Sequence, residues 1–333
     1  MTLDLLAIGD PTVDTFLKIH DAHLALQVDP GRAQLCIDYA DKIPVDSYHR
    51  MTAGGCVNVA ISASRLGLAS AVYGFVGDDA EGKFILSELE SDDVGVSLMA
   101  IDAKNGTNAS TAVVFRGERT IFVWHQRRDY RLPELPSLPW IYLTSVGPPG
   151  PAVRRLHDEV CAEVDRSGAL LAFAPGTHQL RMGADALSGL LRRSRVLLLN
   201  RREAGALTGR EGAPLEEMMA ALRELGPQAV VITDGPGGSY ASEGAELLWS
   251  GILDSPIVDR TGAGDAYASA LVAALHLGRP LGEAMAWGTV QAAHCVTAFG
   301  ATPGLVRRRE LEAEVGRHPE LPGRTRRPSA PAR

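Results

Sequence analysis

From residue 53 onward, apolar β-branched runs alternate with longer stretches of helical period. "SAVYGFVG" precedes the amphipathic "DAEGKFILSELE", "PWIYLTSVG" precedes "PAVRRLHDEVCAEVDRSG", and "ALLAFAPG", "RVLLLN" and "AVVITDG" continue the series. Unbroken apolar runs of strand length mark strands buried on both faces, and the helices between them are the crossovers that parallel neighbours require. The pattern predicts an α/β fold with a central, mostly parallel sheet and helices on both faces. Ligands bind such sheets beyond the carboxyl ends of the strands, which is where the glycine-rich and polar stretches of this chain fall.

Two stretches break the alternation. Residues 14–52 and 106–130 mix polar and β-forming residues, and "STAVVFRGERTIFVW" alternates around a Gly-Glu turn. They predict a small β-sheet lid on a large domain formed by residues 1–13, 53–105 and 131–315. Residues 316–333, rich in Pro and Arg, read as a disordered tail.

Composition removes several classes of function. A formal net charge of −7 over 333 residues gives no basic footprint for nucleic acid. No window of about 18 uninterrupted apolar residues exists for a membrane span. The acidic start "MTLDLLAIGD" lacks the basic region of a signal peptide, so the expected location is the cytoplasm. Cys36, Cys56, Cys161 and Cys295 are far apart with no C-x-x-C pair, which argues against structural zinc and a disulfide framework. The N-x-[ST] matches at Asn105 and Asn108 read as a polar turn.

"GDDAEGK" at 77–83 has the spacing of a P-loop, yet Phe84 stands where Mg²⁺ needs a hydroxyl, and Asp78, Asp79 and Glu81 would oppose a phosphate. No G-x-G-x-x-G follows the first strand, so a dinucleotide fold lacks its fingerprint. "DRTGAGDAYASALVAAL" at 259–275 is different: Gly262, Ala263 and Gly264 strip the backbone of side chains just before Asp265 and a helix-forming run. Bare N–H groups at a helix start attract an anion. Asp265 itself either caps the helix or stands beside the anion as a base.

That stretch resembles the C-terminal signature of the PfkB, or ribokinase-like, carbohydrate kinases. The resemblance implies a ribokinase-like fold and a transferase in which the Gly262–Ala263–Gly264–Asp265 backbone forms an anion hole and Asp265 takes the proton from the acceptor hydroxyl. "AGGCVNVAISASRLG" at 53–67 resembles the family's N-terminal signature, which implies that Gly54, Gly55 and Asn58 bind sugar hydroxyls; Cys56 departs from the usual small residue. Asp14 in "GDPTVD" matches its early sugar-binding aspartate. "NRREAGALTG" at 200–209 resembles the N-x-x-E element, which implies Asn200 and Glu203 near Mg²⁺ through water. "TDGPGGSY" at 233–240 resembles the nucleotide loop, with Thr233, Gly235 and Gly238 beside ATP phosphates, and "VQAAHCVTAFGAT" at 290–302 falls where the family lines its adenine pocket. Asp259 and Thr261 match positions that hold a monovalent cation, K⁺, in some members. The matches run in one order over roughly residues 5–305, each after an expected strand.

The implied activity is ATP-dependent transfer to a hydroxyl of a small sugar or polyol, with a nucleoside as the alternative acceptor. Phe16, Tyr39 or Trp124 would then stack a base. Arg127 and Arg128 either grip a charged group of the acceptor or form a solvated lid edge. A reading of another class is a ligand-binding member of the fold that has lost catalysis. A homodimer formed through the lid is expected, because its strands leave an apolar face that needs cover.

Overall fold

The computed structural model describes residues 2–19, 24–29, 32–115, 118–244 and 246–325. The chain opens with β1 (Leu5–Ile8), β2 (Thr12–Ile19), β3 (Leu24–Asp29), β4 (Arg32–Ile37) and β5 (Val45–Ala53), then α1 (Gly55–Arg65), β6 (Ser70–Tyr73), β7 (Phe75–Gly77) and α2 (Ala80–Ser91). Three further strands, β8 (Ala100–Asp102), β9 (Asn108–Phe115) and β10 (Glu118–Trp124), complete the part before residue 131. Next come β11 (Trp140–Leu143), α3 (Pro151–Ser167), β12 (Leu170–Phe173), α4 (Thr177–Leu180), α5 (Gly183–Arg193), β13 (Ser194–Asn200), α6 (Arg201–Thr208) and α7 (Leu215–Glu224). The chain continues with β14 (Ala229–Thr233), β15 (Ser239–Glu243), β16 (Glu246–Ser250), α8 (Ala263–His276), α9 (Leu281–Cys295), α10 (Arg308–Arg317) and β17 (Arg324–Thr325).

The apolar runs become one sheet in the order β17-β16-β15-β14-β13-β12-β11-β1-β6, parallel from β6 to β14 and antiparallel beyond. Alternation along each strand sends side chains to opposite faces. Leu197 and Leu199 of β13 join a core with α3, α5, α6 and α7, whereas Val196 and Leu198 join one with α1, α8, α9 and α10. "SAVYGFVG" splits into β6 and β7 at Gly74, where a Cβ would lie 2.3 Å from the Gly9 carbonyl oxygen. The P-loop lookalike is a helix start: Asp79 caps α2 through the Gly82 N–H at 2.8 Å and also takes the Thr107 N–H and hydroxyl.

A second sheet has the order β10-β9-β2-β5, and β3 pairs with β4 as a separate ribbon. Residues 125–130, expected in the lid, leave this sheet and enter the main body. Tyr130 is buried in the larger core, and its hydroxyl donates to Asp10 at 2.8 Å. The expected disordered tail also starts too early. Leu321 is buried under α9, its carbonyl accepts the Ser250 hydroxyl at 2.5 Å, and Arg324–Thr325 extend the large sheet. One apolar side chain, whose burial contributes about 1.5–3 kcal/mol, anchors a segment whose composition otherwise reads as unstructured. Residues 326–333 of that stretch lie outside the described residues.

Asp10 is buried after β1, and desolvation raises its pKa to about 6 against the Tyr130 hydrogen bond, the Arg128 charge and the Gly147 N–H. Because the folded value lies above the unfolded one, its contribution to stability is present at low pH and is lost as pH rises through about 6. Asp10→Asn keeps an acceptor for Tyr130 without the charge. The expected result in urea unfolding is a variant more stable than the parent at pH 8, with the difference shrinking towards pH 4.

Candidate active site

Strand ends build the site. Asn200 closes β13, Thr233 closes β14 and Thr144 follows β11; with Gly264, Asp265 and Tyr267 they line a cavity of about 630 Å³ at the carboxyl edge of the sheet. A second cavity, about 1040 Å³, shares Thr233, Gly264 and Tyr267 and extends past Gly235 and Gly238 to Ala292, Ala293 and Val296. The 290–302 stretch and the 233–240 loop therefore meet around one space.

Gly262, at φ 76°, is the N-cap of α8, and no side chain caps this helix. A Cβ at 262 would lie 2.3 Å from Ala301 Cβ, so the turn requires glycine twice over, for its conformation and for its closeness. At Gly264 a Cβ would meet nothing within 4 Å. That open space lies beside the first-turn N–H groups, which have no partner inside the helix and carry the positive end of its dipole. Asp265 sits in this first turn and turns away from the cap: its Oδ2 accepts the Asn58 Nδ2 proton at 2.8 Å. Burial pushes the Asp265 carboxyl above the usual carboxylate range, against the Asn58 hydrogen bond.

Asn58 is buried on α1, and its Oδ1 has no partner among the described residues. An orphaned buried carbonyl oxygen is a place for a ligand donor. Gly54, at φ 102°, lies so close to Asp10 that a Cβ would stand 2.4 Å from its carbonyl oxygen. At Gly55 a Cβ would be 2.8 Å from Thr144 Oγ1 and 3.2 Å from Asp265 Oδ1. On the smaller sheet, Asp14 Oδ1 accepts the Ser110 hydroxyl at 2.7 Å. Burial raises the Asp14 carboxyl, while Ser110 and the Arg119 charge oppose the rise.

Asn200 and Glu203 form a capping box at the start of α6: Asn200 Oδ1 accepts from Glu203 N, and Glu203 Oε2 from Asn200 N, both at 2.9 Å. Burial raises the Glu203 carboxyl, offset by the Asn200 hydrogen bonds, and the Asp265 charge adds to the rise. The box uses Oε2 and leaves Oε1. No group of three or more acidic, His or Cys side chains suited to a metal occurs among the described residues. That donor set fits Mg²⁺, which keeps several waters and takes only one or two carboxylates beside substrate phosphates. Asp259 and Thr261 do not fit an open K⁺ site. Arg119 of β10 reaches them, pairing with Asp259 Oδ1 at 3.4 Å and donating to the Thr261 hydroxyl.

The profile of the pfkB family carbohydrate kinases matches residues 28–307. The chain belongs to the pfkB family. It is 24% identical over 281 residues to an ATP-dependent 6-phosphofructokinase of Thermoanaerobacterium thermosaccharolyticum, covering 79% of this chain and 84% of the relative. It is 26% identical to a nucleoside kinase of Methanothermobacter thermautotrophicus, covering 84% of each. The fold matches the ribokinase of Arabidopsis thaliana, solved with ribose and ATP, at a TM-score of 0.77 and 20% identity, over 95% of this chain and 99% of that one. As a member, this PfkB kinase is an ATP-dependent phosphotransferase with an alcohol group as acceptor.

Several residues of this PfkB kinase sit at the site without a motif to mark them, or lie away from where the sequence pattern suggested. Thr144 and Tyr267 line the cavity at the sheet's carboxyl edge, and Tyr267 donates to Ser239 Oγ at 2.9 Å. A position just past a strand end was the available signal for Thr144. Arg128 is buried and committed, to Asp102 at 3.0 Å and to the Gly106 carbonyl at 2.6 Å. Arg127 lines a separate cavity of about 400 Å³ near 147–153. Phe16 packs edge-on against Phe299 with centroids 5.1 Å apart, and Tyr39 is fully exposed. No helix among the described residues is long and apolar enough to cross a membrane.

The two glycines of the helix start give a paired expectation. Gly262→Ala forces a steric overlap at a left-handed backbone and lowers Tm, whereas Gly264→Ala has room and leaves Tm nearly unchanged. A methyl at 264 stands in the open space shared by both cavities, so ATP turnover falls in that variant without loss of fold. Scanning calorimetry beside a steady-state assay checks both.

Proposed function

We propose that this PfkB kinase transfers the γ-phosphoryl group of ATP to a hydroxyl of a neutral sugar or polyol, with Asp265 as general base. The observation that carries the reading is the placement of Asp265: a partly desolvated carboxylate, aimed by Asn58, beside a helix start with bare N–H groups. Phosphoryl transfer asks little covalent chemistry of a protein and much positioning and charge stabilisation. The Gly262–Asp265 backbone receives the equatorial phosphoryl oxygens. Asp265 holds the acceptor hydroxyl and accepts its proton as the new O–P bond forms, and its raised pKa makes it a better base than an exposed aspartate. Nucleotide occupies the larger cavity, with Thr233, Gly235 and Gly238 along its phosphates and Ala292 and Ala293 leaving room for a flat base. Mg²⁺, when bound, neutralises phosphate charge, and Asn200 and Glu203 would hold it through water.

The acceptor class follows from the polar groups offered to it. Asp14, Asp265 and the free Oδ1 of Asn58 all accept hydrogen bonds, so they suit a molecule that presents several hydroxyl donors. Arg119 and Arg128, which could have held an acceptor phosphate, are committed to Asp259 and Asp102. The intact set of Asp265, helix start and capping box opposes a catalytically silent role. A screen of sugars, polyols, sugar phosphates and nucleosides for Mg²⁺-dependent ADP release tests the reading. Release only with phosphorylated sugars or nucleosides would overturn the acceptor class, and none at all with tight ligand binding would overturn catalysis.

Asp265→Asn keeps an acceptor for Asn58 and removes the base. The expected kcat is lower by roughly 10²–10⁴, with ATP binding retained. Folding should be as stable as in the parent or more so at pH 7, because burial disfavours the charge that the variant lacks. In the parent, kcat/KM should fall as pH drops through a value above the ordinary aspartate range. A kcat within about threefold of the parent would remove Asp265 from the mechanism.

A homodimer through the small sheet completes the proposal. Tyr48, Phe122 and Trp124 share the sheet face opposite Asp14 and are 60%, 64% and 57% exposed. Sedimentation at micromolar concentration should show a dimer that Phe122→Asp dissociates.

A further inference from the structure

Asp259 is nearly buried, with its side chain 9% exposed, and it gathers donors from three places. The Thr261 N–H and hydroxyl reach Oδ1 at 3.1 and 2.8 Å, the Gly300 N–H reaches Oδ2 at 3.1 Å, and Arg119 Nη1 reaches Oδ1 at 3.4 Å. Arg119 also donates to the Thr261 hydroxyl. Thr261 immediately precedes Gly262, the N-cap of α8, so whatever fixes the 259–261 turn also fixes the N–H groups of the anion hole. A carboxylate this enclosed needs a positive partner, and a single guanidinium nitrogen of Arg119, Nη1, reaches both Asp259 Oδ1 and Thr261 Oγ1.

The cation comes from the sheet that carries Asp14. In-register pairing of β2, β9 and β10 puts Asp14, Ser110 and Arg119 on one face, and the guanidinium is near enough to Asp14 to oppose the rise of its pKa. The same sheet grips the loop on the far side of Asp259. Phe299 lies 5.1 Å from Phe16 and 4.7 Å from His49 between ring centroids, and a Cβ at Gly300 would stand 2.6 Å from Met51 Sδ.

We infer that Arg119 is a tethered cation that takes the place of a monovalent metal ion at Asp259 and Thr261. It makes this enzyme independent of K⁺ and fixes the 259–262 turn from the Asp14-bearing sheet. Arg119 is a positioning residue; it acts on the phosphoryl group through the 259–262 turn. The inference rests on the phosphotransferase reading of the Asp265 site, and it concerns this chain's own departure from an ion-binding arrangement.

The test compares the full-length enzyme in KCl and in choline chloride at equal ionic strength. For the parent, kcat with the acceptor found by the screen should agree within about twofold between the salts, and so should the Tm shift produced by MgATP. Arg119→Ala in choline chloride should lose about 10²-fold in kcat, the scale of an ångström-sized misplacement, with a smaller change in acceptor KM. KCl should restore much of that loss and raise the Tm of the MgATP-bound variant, while Arg119→Lys falls between parent and alanine. A parent activated tenfold or more by KCl overturns the inference. So does an Arg119→Ala variant that keeps parental kcat in choline, or one whose only defect is an acceptor KM that KCl leaves unchanged; the latter would make Arg119 an acceptor ligand. Stabilisation by MgATP is measured in the same samples, so its absence from the parent would count against the kinase site and not against the role of Arg119. Should Arg119→Ala fail to fold, the response of the parent to the two salts and Arg119→Lys still decide.

Discussion

The hydrogen bond from Asn58 to Asp265 joins residues 207 positions apart, and the geometry of the site depends on it. It ties α1 to α8 at the ends of both helices that face the cavity. One turn further along each helix, Ser269 Oγ donates to Ser62 Oγ at 2.6 Å, and Gln291 Nε2 from α9 reaches the same Ser62 oxygen at 3.2 Å. Residues four apart stack on one helix face, so these contacts act as a register key. A slide of α8 by one residue would break both pairs and leave buried polar atoms without partners, at about 1–3 kcal/mol each. Gly55 lets α1 come close enough, since a Cβ there would crowd both Thr144 and Asp265. The two glycine-rich signatures are thus two halves of one contact.

That contact also sets the charge of the site. Asp265 receives a neutral amide donor; a guanidinium in that position would pull its pKa down and weaken it as a base, each pKa unit corresponding to about 1.4 kcal/mol between protonation states. The arginines of this region serve other carboxylates: Arg119 serves Asp259, and Arg128 serves Asp102. Glu203 is held by its capping partner Asn200 and the nearby Arg202 charge, and it feels Asp265 as a like charge. Two desolvated carboxylates facing one cavity oppose a further bare negative charge and favour a cation between them. Part of the folding energy is held back at such a site, because burial disfavours both charged carboxylates.

How much of this was legible in the chain follows contact range. The buried strands β1, β11, β12, β13 and β14 announced themselves because both their faces are apolar. Gly262 and Asp265 were legible because helix-start chemistry is local. The capping box of Asn200 and Glu203 was equally local, and its three-residue spacing fits a cap as well as a metal site. Arg119 could not be read, because its partner Asp259 lies 140 residues away and nothing near "GERTIF" marks one arginine over another. Leu321 escaped for a related reason: one apolar residue among prolines and arginines carries no periodicity, yet a single anchor suffices when a sheet edge waits beside it. Residues 125–130 read as lid because the β-pattern ends gradually, whereas Tyr130 and Arg128 are claimed by Asp10 and Asp102 in the main body.

The small sheet has an exposed edge strand whose two faces carry different tasks. Ile121, Phe122, Val123 and Trp124 are all more than half exposed, although neighbours in a strand point to opposite sides. Ile121 and Val123 share the face of Arg119, Ser110 and Asp14, while Phe122 and Trp124 share the other. The first face thus sets a carboxylate and a hydroxyl beside apolar side chains, so it can take both hydrogen-bond donors and C–H groups. The second face is apolar without a polar counterpart, the composition of a surface built to be covered. The Arg119–Asp259 contact ties that first face to the 259–262 turn, so the sheet that carries Asp14 and the start of α8 are held in one arrangement.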